Sequence, residues 1–118
     1  MKKIAVFSFA LFLALSLTAC TRTAGKYDQF AQCLTKKGIT MYGSDECPHC
    51  MDQKALFEGS FDMVDYVNCI VEGGKCQKAG IEGYPTWVGP NNKRVVGTQS
   101  LSSLSEEFDC PLEVETAG

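Results

Sequence analysis

Cys47-Pro48-His49-Cys50 and Gly83-Tyr84-Pro85-Thr86-Trp87, whose proline lies thirty-five residues beyond the second cysteine, decide how this chain is read. Before the first stretch, Ile39-Thr40-Met41-Tyr42-Gly43 has the composition of a strand. After it, Pro48 to Glu58 reads as a helix, with Met51, Ala55, Leu56 and Phe57 forming its apolar side and Gly59 ending it. The pair of cysteines therefore falls at a strand-to-helix junction. Cys47 occupies the helix start, where unpaired N–H groups and the positive end of the helix dipole favour a thiolate. Pro48 suits the first helical position, where its missing N–H is not needed. Cys50, one turn on, is placed to close a disulfide with Cys47. His49 adds a positive or hydrogen-bonding neighbour that favours the thiolate, and Glu46, as a like charge, opposes it. A metal site built on these thiols needs further ligands, yet His49 is the single histidine and no second Cys-x-x-Cys exists. No metal is expected.

Outward from this centre the chain alternates helix and strand. Tyr27 to Lys37 carries Tyr27, Phe30, Ala31 and Leu34 at helical spacing, with Gly38 as a stop. Phe61 to Cys69 alternates as a strand, with Phe61, Met63, Asp65 and Val67 on one face and Val64 and Tyr66 on the other. Gly73-Gly74 and Gly80 leave room for at most a short helix from Lys75 to Ala79. Pro85 to Val88 and Lys93 to Gly97 read as strands, paired as a hairpin across Gly89-Pro90-Asn91-Asn92. Ser100 to Phe108 closes the series as a helix with Leu101, Leu104 and Phe108 on its apolar side. The order predicts one α/β domain. Met51, Met63, Phe57, Phe61 and Tyr66 are expected in the core, and Trp87 as packing or as a rim to a substrate groove.

The N-terminus reads as a processing segment. Lys2 and Lys3 precede an apolar stretch from Ile4 to Leu17, and Leu17-Thr18-Ala19-Cys20 closes it. Those four residues resemble the lipobox of bacterial lipoproteins, which implies cleavage before Cys20 and acylation of its thiol. Acyl chains contribute about 0.8 kcal/mol per buried CH₂ and two or three hold a protein on a bilayer. The expected division is residues 1–19 as signal peptide, 20–25 as lipidated tether and 26–118 as the domain. A plain signal peptide with Cys20 as a spare thiol is the alternative; the apolar run is barely long enough to persist as a membrane span. The chain carries a formal net charge of −3, more negative still once Lys2 and Lys3 are set aside, and no basic run interleaved with aromatics. Nucleic acid is thus not an expected partner. Seven cysteines in 118 residues fit an oxidising, exported setting, and setting Cys20 aside leaves an even number.

Taken together, Met41-Tyr42-Gly43 leading into Cys47-Pro48-His49-Cys50, then Tyr66-Val67-Asn68-Cys69, then Gly80-Ile81-Glu82-Gly83-Tyr84-Pro85-Thr86-Trp87 resemble the thioredoxin-like domain fused to bacterial homologues of vitamin K epoxide reductase. The resemblance covers most of Phe30 to Cys110, and the Cys-Pro-His-Cys is shared with the periplasmic disulfide-oxidant family. It implies a thioredoxin fold: a central mixed sheet of about four strands flanked by helices, with a short or missing helix before the proline-led strand. It implies Cys47 as nucleophile, Cys50 as resolving thiol, Pro85 as a cis-proline against the cysteines, and Tyr84 as the residue whose backbone pairs with substrate. Two positions depart from the wider pattern. Glu46 stands where many thioredoxins carry tryptophan, and Met41 where cytosolic ones place a buried acid. The membrane-embedded, quinone-linked domain is absent from this sequence, so a partner of that type is expected as a separate protein.

The expected chemistry is dithiol–disulfide exchange through Cys47 and Cys50 with no dissociable cofactor. The expected substrates are exported proteins bearing thiols or disulfides. An oxidant or isomerase in disulfide formation is favoured, with a reductant, and from another class a thiolate metal-binding lipoprotein, as competing readings. Among the remaining cysteines, Cys33 with Cys110 would tie the chain ends together and Cys69 with Cys76 would close a small loop. Structural bridges are favoured there over free thiols, other connectivity, or a second redox pair at Cys69 and Cys76.

Overall fold

A computed structural model describes residues 23–114. The signal segment 1–19, the lipidation position Cys20, the start of the tether and the last four residues of the proposed domain lie outside them. In order the elements are α1 (Asp28–Lys36), β1 (Thr40–Gly43), α2 (Pro48–Leu56), β2 (Asp65–Asn68), α3 (Gly73–Ala79), β3 (Thr86–Val88), β4 (Arg94–Val96) and α4 (Leu101–Phe108). The sheet order is β2-β1-β3-β4. β1 runs parallel to β2, with Met41 opposite Tyr66, and antiparallel to β3, with Met41 opposite Trp87. β3 and β4 form the hairpin, Trp87 facing Val95. Helices flank this mixed sheet in the arrangement of a small thioredoxin-like fold. Among the described residues, no helix is long and apolar enough to cross a membrane.

The core explains the order of the elements. Phe30, Ala31 and Leu34 from α1, Ile39 just before β1 and Met41 on it, Phe57, Trp87, and Leu101, Leu104 and Phe108 from α4 belong to one buried cluster. Phe57 lies at its centre, stacked between Phe30 (5.8 Å) and Trp87 (5.9 Å), with Phe61 edge-on. Such aromatic pairs contribute about 0.5–1.5 kcal/mol beyond their area burial. Gln53 is buried among them without cost in unmet hydrogen bonds. Its side-chain oxygen accepts from Trp87 Nε1 and the Gln99 amide, and its nitrogen donates to the Gln99 carbonyl. Ser100 caps α4, its hydroxyl accepting from the Ser103 amide at 3.1 Å.

Several expectations are corrected. Phe61 and Met63 are not strand residues. Glu58–Met63 forms a 3-10 segment, entered through Glu58 at φ 51°, and β2 begins only at Asp65. The turn keeps the Phe61 ring against Phe57 and Tyr66, which a straight strand would carry away. The apolar side proposed for α2 is also displaced. Met51 is 50% exposed, and Ala55 and Leu56 are exposed too, while Cys50, Gln53 and Phe57 face inward. The helix turns its cysteine to the core, and a hydrogen-bonded glutamine takes the position next to it. The short helix before the proline-led strand starts at Gly73 rather than Lys75, taking both glycines into its first turn, and ends at Gly80 in the left-handed conformation.

Two disulfides staple the periphery. Cys33–Cys110 joins α1 to the segment after α4 across 77 residues, and Cys69–Cys76 joins the end of β2 to α3 across seven. Cys69 and Cys76 are both buried, packed with Val67. Burial limits the access of an outside thiolate to this bridge, which favours the structural reading over a second redox pair.

Candidate redox site

Cys47 and Cys50 are the free cysteines among the described residues. Cys47 is the residue that caps α2, in extended conformation, with Pro48 opening the helix. Its amide donates to the Ser44 carbonyl at 3.2 Å, and its carbonyl accepts from Met51 at 3.1 Å, so the loop from β1 turns directly into the helix. Cys47 is partly exposed and Cys50 is fully buried. The Cys50 sulfur accepts from the Ser44 amide at 3.5 Å. It lies over Gly43: a Cβ at that position would stand 2.8 Å from the sulfur, so the glycine at the end of β1 is what admits it.

The second motif meets the first here. The Tyr84–Pro85 bond is cis, Pro85 is fully buried and Tyr84 is 40% exposed. The Tyr84 carbonyl accepts from the Cys47 thiol at 4.0 Å. The Pro85 carbonyl is taken by the Gly97 amide at 2.8 Å, which ties this strand entry to the hairpin. Pro48, His49 and Glu46 are exposed, and the Thr98 hydroxyl donates to the His49 carbonyl at 3.1 Å.

The two thiols differ in acidity. Cys47 is held below the usual thiol range, first by the Cys50 backbone N–H, then by the Cys50 side chain and the His49 backbone N–H, against partial desolvation. His49 thus acts on Cys47 through its backbone. The charge that most raises Cys47 is Asp52, on the first turns of α2, where the sequence pointed to Glu46. Cys50 is pushed up to about 11, chiefly by burial, with the Cys47 sulfur adding to the shift and the Ser44 N–H opposing it. The outer thiol is therefore the more acidic and the more accessible of the two, and the inner one is shielded and harder to ionise. The expected alkylation of the reduced protein by iodoacetamide is confined to Cys47. Its rate falls as pH drops through a midpoint below that of free cysteine, while Cys50 stays unmodified until well above neutral pH; peptide mass mapping across a pH series reads both.

The sequence reading missed a cluster beside these thiols. The Asp45 carboxylate accepts from Lys54 Nζ (2.6 Å), Tyr66 Oη (2.8 Å) and Asn68 Nδ2 (3.0 Å). Asp45 is lowered below its usual range, first by the Lys54 hydrogen bond. Lys54 lies four residues after Cys50, hence on the same side of α2, a spacing that could have drawn notice. Asp45 carries no such signal, because its partners arrive from α2 and β2 only in the fold.

No family model matches the chain. In an alignment 85 residues long that covers 64% of this chain, it is 36% identical to the thiol-disulfide oxidoreductase LTO1 of Arabidopsis thaliana. The chain is similar to part of a thiol–disulfide oxidoreductase. That part is 22% of the plant protein, so the chain spans about a fifth of the relative's length. Among solved structures, one described as "Structure of a malarial protein" superposes with a TM-score of 0.50 at 15% identity, covering 60% of this chain and 91% of the other. That likeness speaks for the fold alone.

Proposed function

We propose that this chain is an extracytoplasmic, membrane-anchored thiol–disulfide oxidoreductase, working by exchange through Cys47 and Cys50 and acting as an oxidant or isomerase in protein disulfide formation. The observation that carries the reading is the asymmetric pair itself. A partly exposed, acidified Cys47 lies under the Tyr84 carbonyl, and one helical turn away sits a buried Cys50 of raised pKa. The similarity to a thiol-disulfide oxidoreductase supports the same chemistry.

In the oxidising direction, a substrate thiolate attacks Cys47 of the Cys47–Cys50 disulfide, and Cys50 leaves as a thiolate and takes up a proton. A second substrate thiolate attacks its own sulfur in the mixed disulfide, and Cys47 leaves as the thiolate its surroundings favour. Two electrons pass to the protein and the substrate gains a disulfide. Exposed Tyr84 offers its backbone to an extended substrate segment beside Cys47. Donors that stabilise the Cys47 thiolate stabilise the reduced protein, which is the direction of an oxidant. Reoxidation would fall to a separate membrane oxidoreductase of the quinone-linked, vitamin K epoxide reductase type. Cys20, lipidated after removal of residues 1–19, would hold the domain on the outer face of a bacterial membrane near that partner.

Equilibration in glutathione buffers tests the direction. A Cys47–Cys50 potential near or above about −180 mV is expected for an oxidant or isomerase, and a value near or below about −270 mV would make the protein a reductant.

A further inference from the structure

Cys50 must become a thiolate to resolve a mixed disulfide, and its burial opposes that. Met41, whose side chain reaches the same point above Gly43 as the Cys50 sulfur, is apolar and fully buried and accepts no proton. We propose that Lys54 supplies the charge that makes Cys50 usable, and that Asp45 and Tyr66 are the positioning residues that hold it there. The inference rests on the exchange chemistry proposed above and assigns a role to residues outside the two motifs.

The geometry converges on the Tyr66 ring. Lys54 Nζ stands 3.9 Å from the ring centroid, within cation–π range, and 5.4 Å from that of Phe61. Asp45 receives both the ammonium and the Tyr66 hydroxyl, locking ring and cation together. The edge of the same ring and the Cys50 sulfur approach one point above Gly43, at 3.4 and 2.8 Å from it. Lys54 is thus held against the same ring that borders the Cys50 sulfur, and it follows Cys50 by one turn of α2. Its side chain is 21% exposed, while that of Asp45 is 58% exposed, so the cation is the better shielded partner and the anion the more screened.

The other groups around Cys50 do not replace it. From β1 come Met41 and Gly43, which carry no charge, and from β2 Tyr66, whose phenol is held well above its usual range by burial and by Asp45. The turn before α2 contributes the Ser44 N–H and the carboxylates of Asp45 and Glu46. On α2, Cys47 raises Cys50, and Lys54 is the cation that lowers it. Asp52 acts on Cys47 in the unfavourable sense, and His49 is exposed.

In the resolving step of substrate reduction, Cys50 gives its proton to solvent and its thiolate attacks Cys47. The Cys47–Cys50 bond forms as the bond from Cys47 to the substrate sulfur breaks. The substrate sulfur leaves with the electron pair and takes a proton from solvent. Cys50 is oxidised, the substrate sulfur is reduced, and Lys54 exchanges no proton.

Rapid mixing of the full reduced chain with a fluorescently quenched disulfide peptide separates attack by Cys47 from release by Cys50. Removing a nearby cation raises a thiol by about one pKa unit. That cuts the thiolate tenfold but returns part of the loss as nucleophilicity, so Lys54→Gln is expected to slow release about three- to fourfold at neutral pH. The pH profile of release moves up by about one unit, attack is unchanged, and Lys54→Arg restores release because it keeps the charge. Release with an unshifted profile in Lys54→Gln would overturn the proposal, as would equal slowing of both phases or failure of Lys54→Arg to restore the rate. If wild-type Cys47 never forms the mixed disulfide, the exchange reading itself falls and this inference with it.

Discussion

Cys47→Ser is expected to lower disulfide exchange to the uncatalysed background. A serine hydroxyl is not ionised by the donors that acidify Cys47, and its oxygen forms no disulfide, so both the nucleophile and the covalent intermediate are lost. The fold should remain, because Cys47 is partly exposed and belongs to neither structural bridge. Turnover of a disulfide peptide, with circular dichroism as the control for folding, separates lost chemistry from lost structure. Retained turnover in a folded Cys47→Ser protein would remove Cys47 from the mechanism.

The largest effect on stability is expected from the bridge that closes the long loop. Replacing both Cys33 and Cys110 by serine releases a 77-residue constraint on the unfolded chain. The chain-entropy relation gives about 4 kcal/mol for a loop of that length, and about 2.5 kcal/mol for the short one at Cys69–Cys76. For a domain of this size 4 kcal/mol corresponds to a fall in Tm on the order of 20 °C. Cys110 is also buried against the main cluster, so the serine there adds a desolvated hydroxyl. Denaturant unfolding followed by Trp87 fluorescence checks the order of the two bridges. A larger loss from removing Cys69 and Cys76 than from removing Cys33 and Cys110 would contradict it.

Much of the fold was legible because its signals are local. Gly38 and Gly80 punctuate the elements, Gly89-Pro90-Asn91-Asn92 marks the hairpin, and the cysteines fall at a strand-to-helix junction, whereas Gly59, read as the end of α2, lies inside the 3-10 segment. In the hairpin turn Asn91 and Asn92 both take φ of 58°, a conformation asparagine tolerates. Gly89 lets the Phe108 ring approach where a Cβ would stand 2.9 Å from it. What the sequence concealed depends on partners that only the fold supplies. Phe61 and Met63 alternate like strand residues, yet packing among Phe57, Phe61 and Tyr66 holds them in a 3-10 turn. Met51 and Leu56 read as core, yet the inward face of α2 is given to Cys50 and to Gln53, whose hydrogen bonds reach residues on β3 and beyond it. The motif named the two thiols, and Tyr84 and Pro85 lie beside them, but Gly43, Ser44, Asp45, Lys54 and Tyr66 reach the site from four segments. His49 and Glu46, conspicuous in the sequence, are exposed, and Cys47 is lowered first by the Cys50 backbone N–H, then by the Cys50 side chain and the His49 backbone N–H, with desolvation and Asp52 opposing.

The measurement closest to the central claim is covalent trapping with Cys50→Ser. Mixed with a disulfide peptide, that variant should accumulate a single adduct, on Cys47, stable to alkylation and released by dithiothreitol. No adduct, or one on a cysteine other than Cys47, would contradict the assignment of Cys47 as nucleophile and Cys50 as the thiol that resolves it.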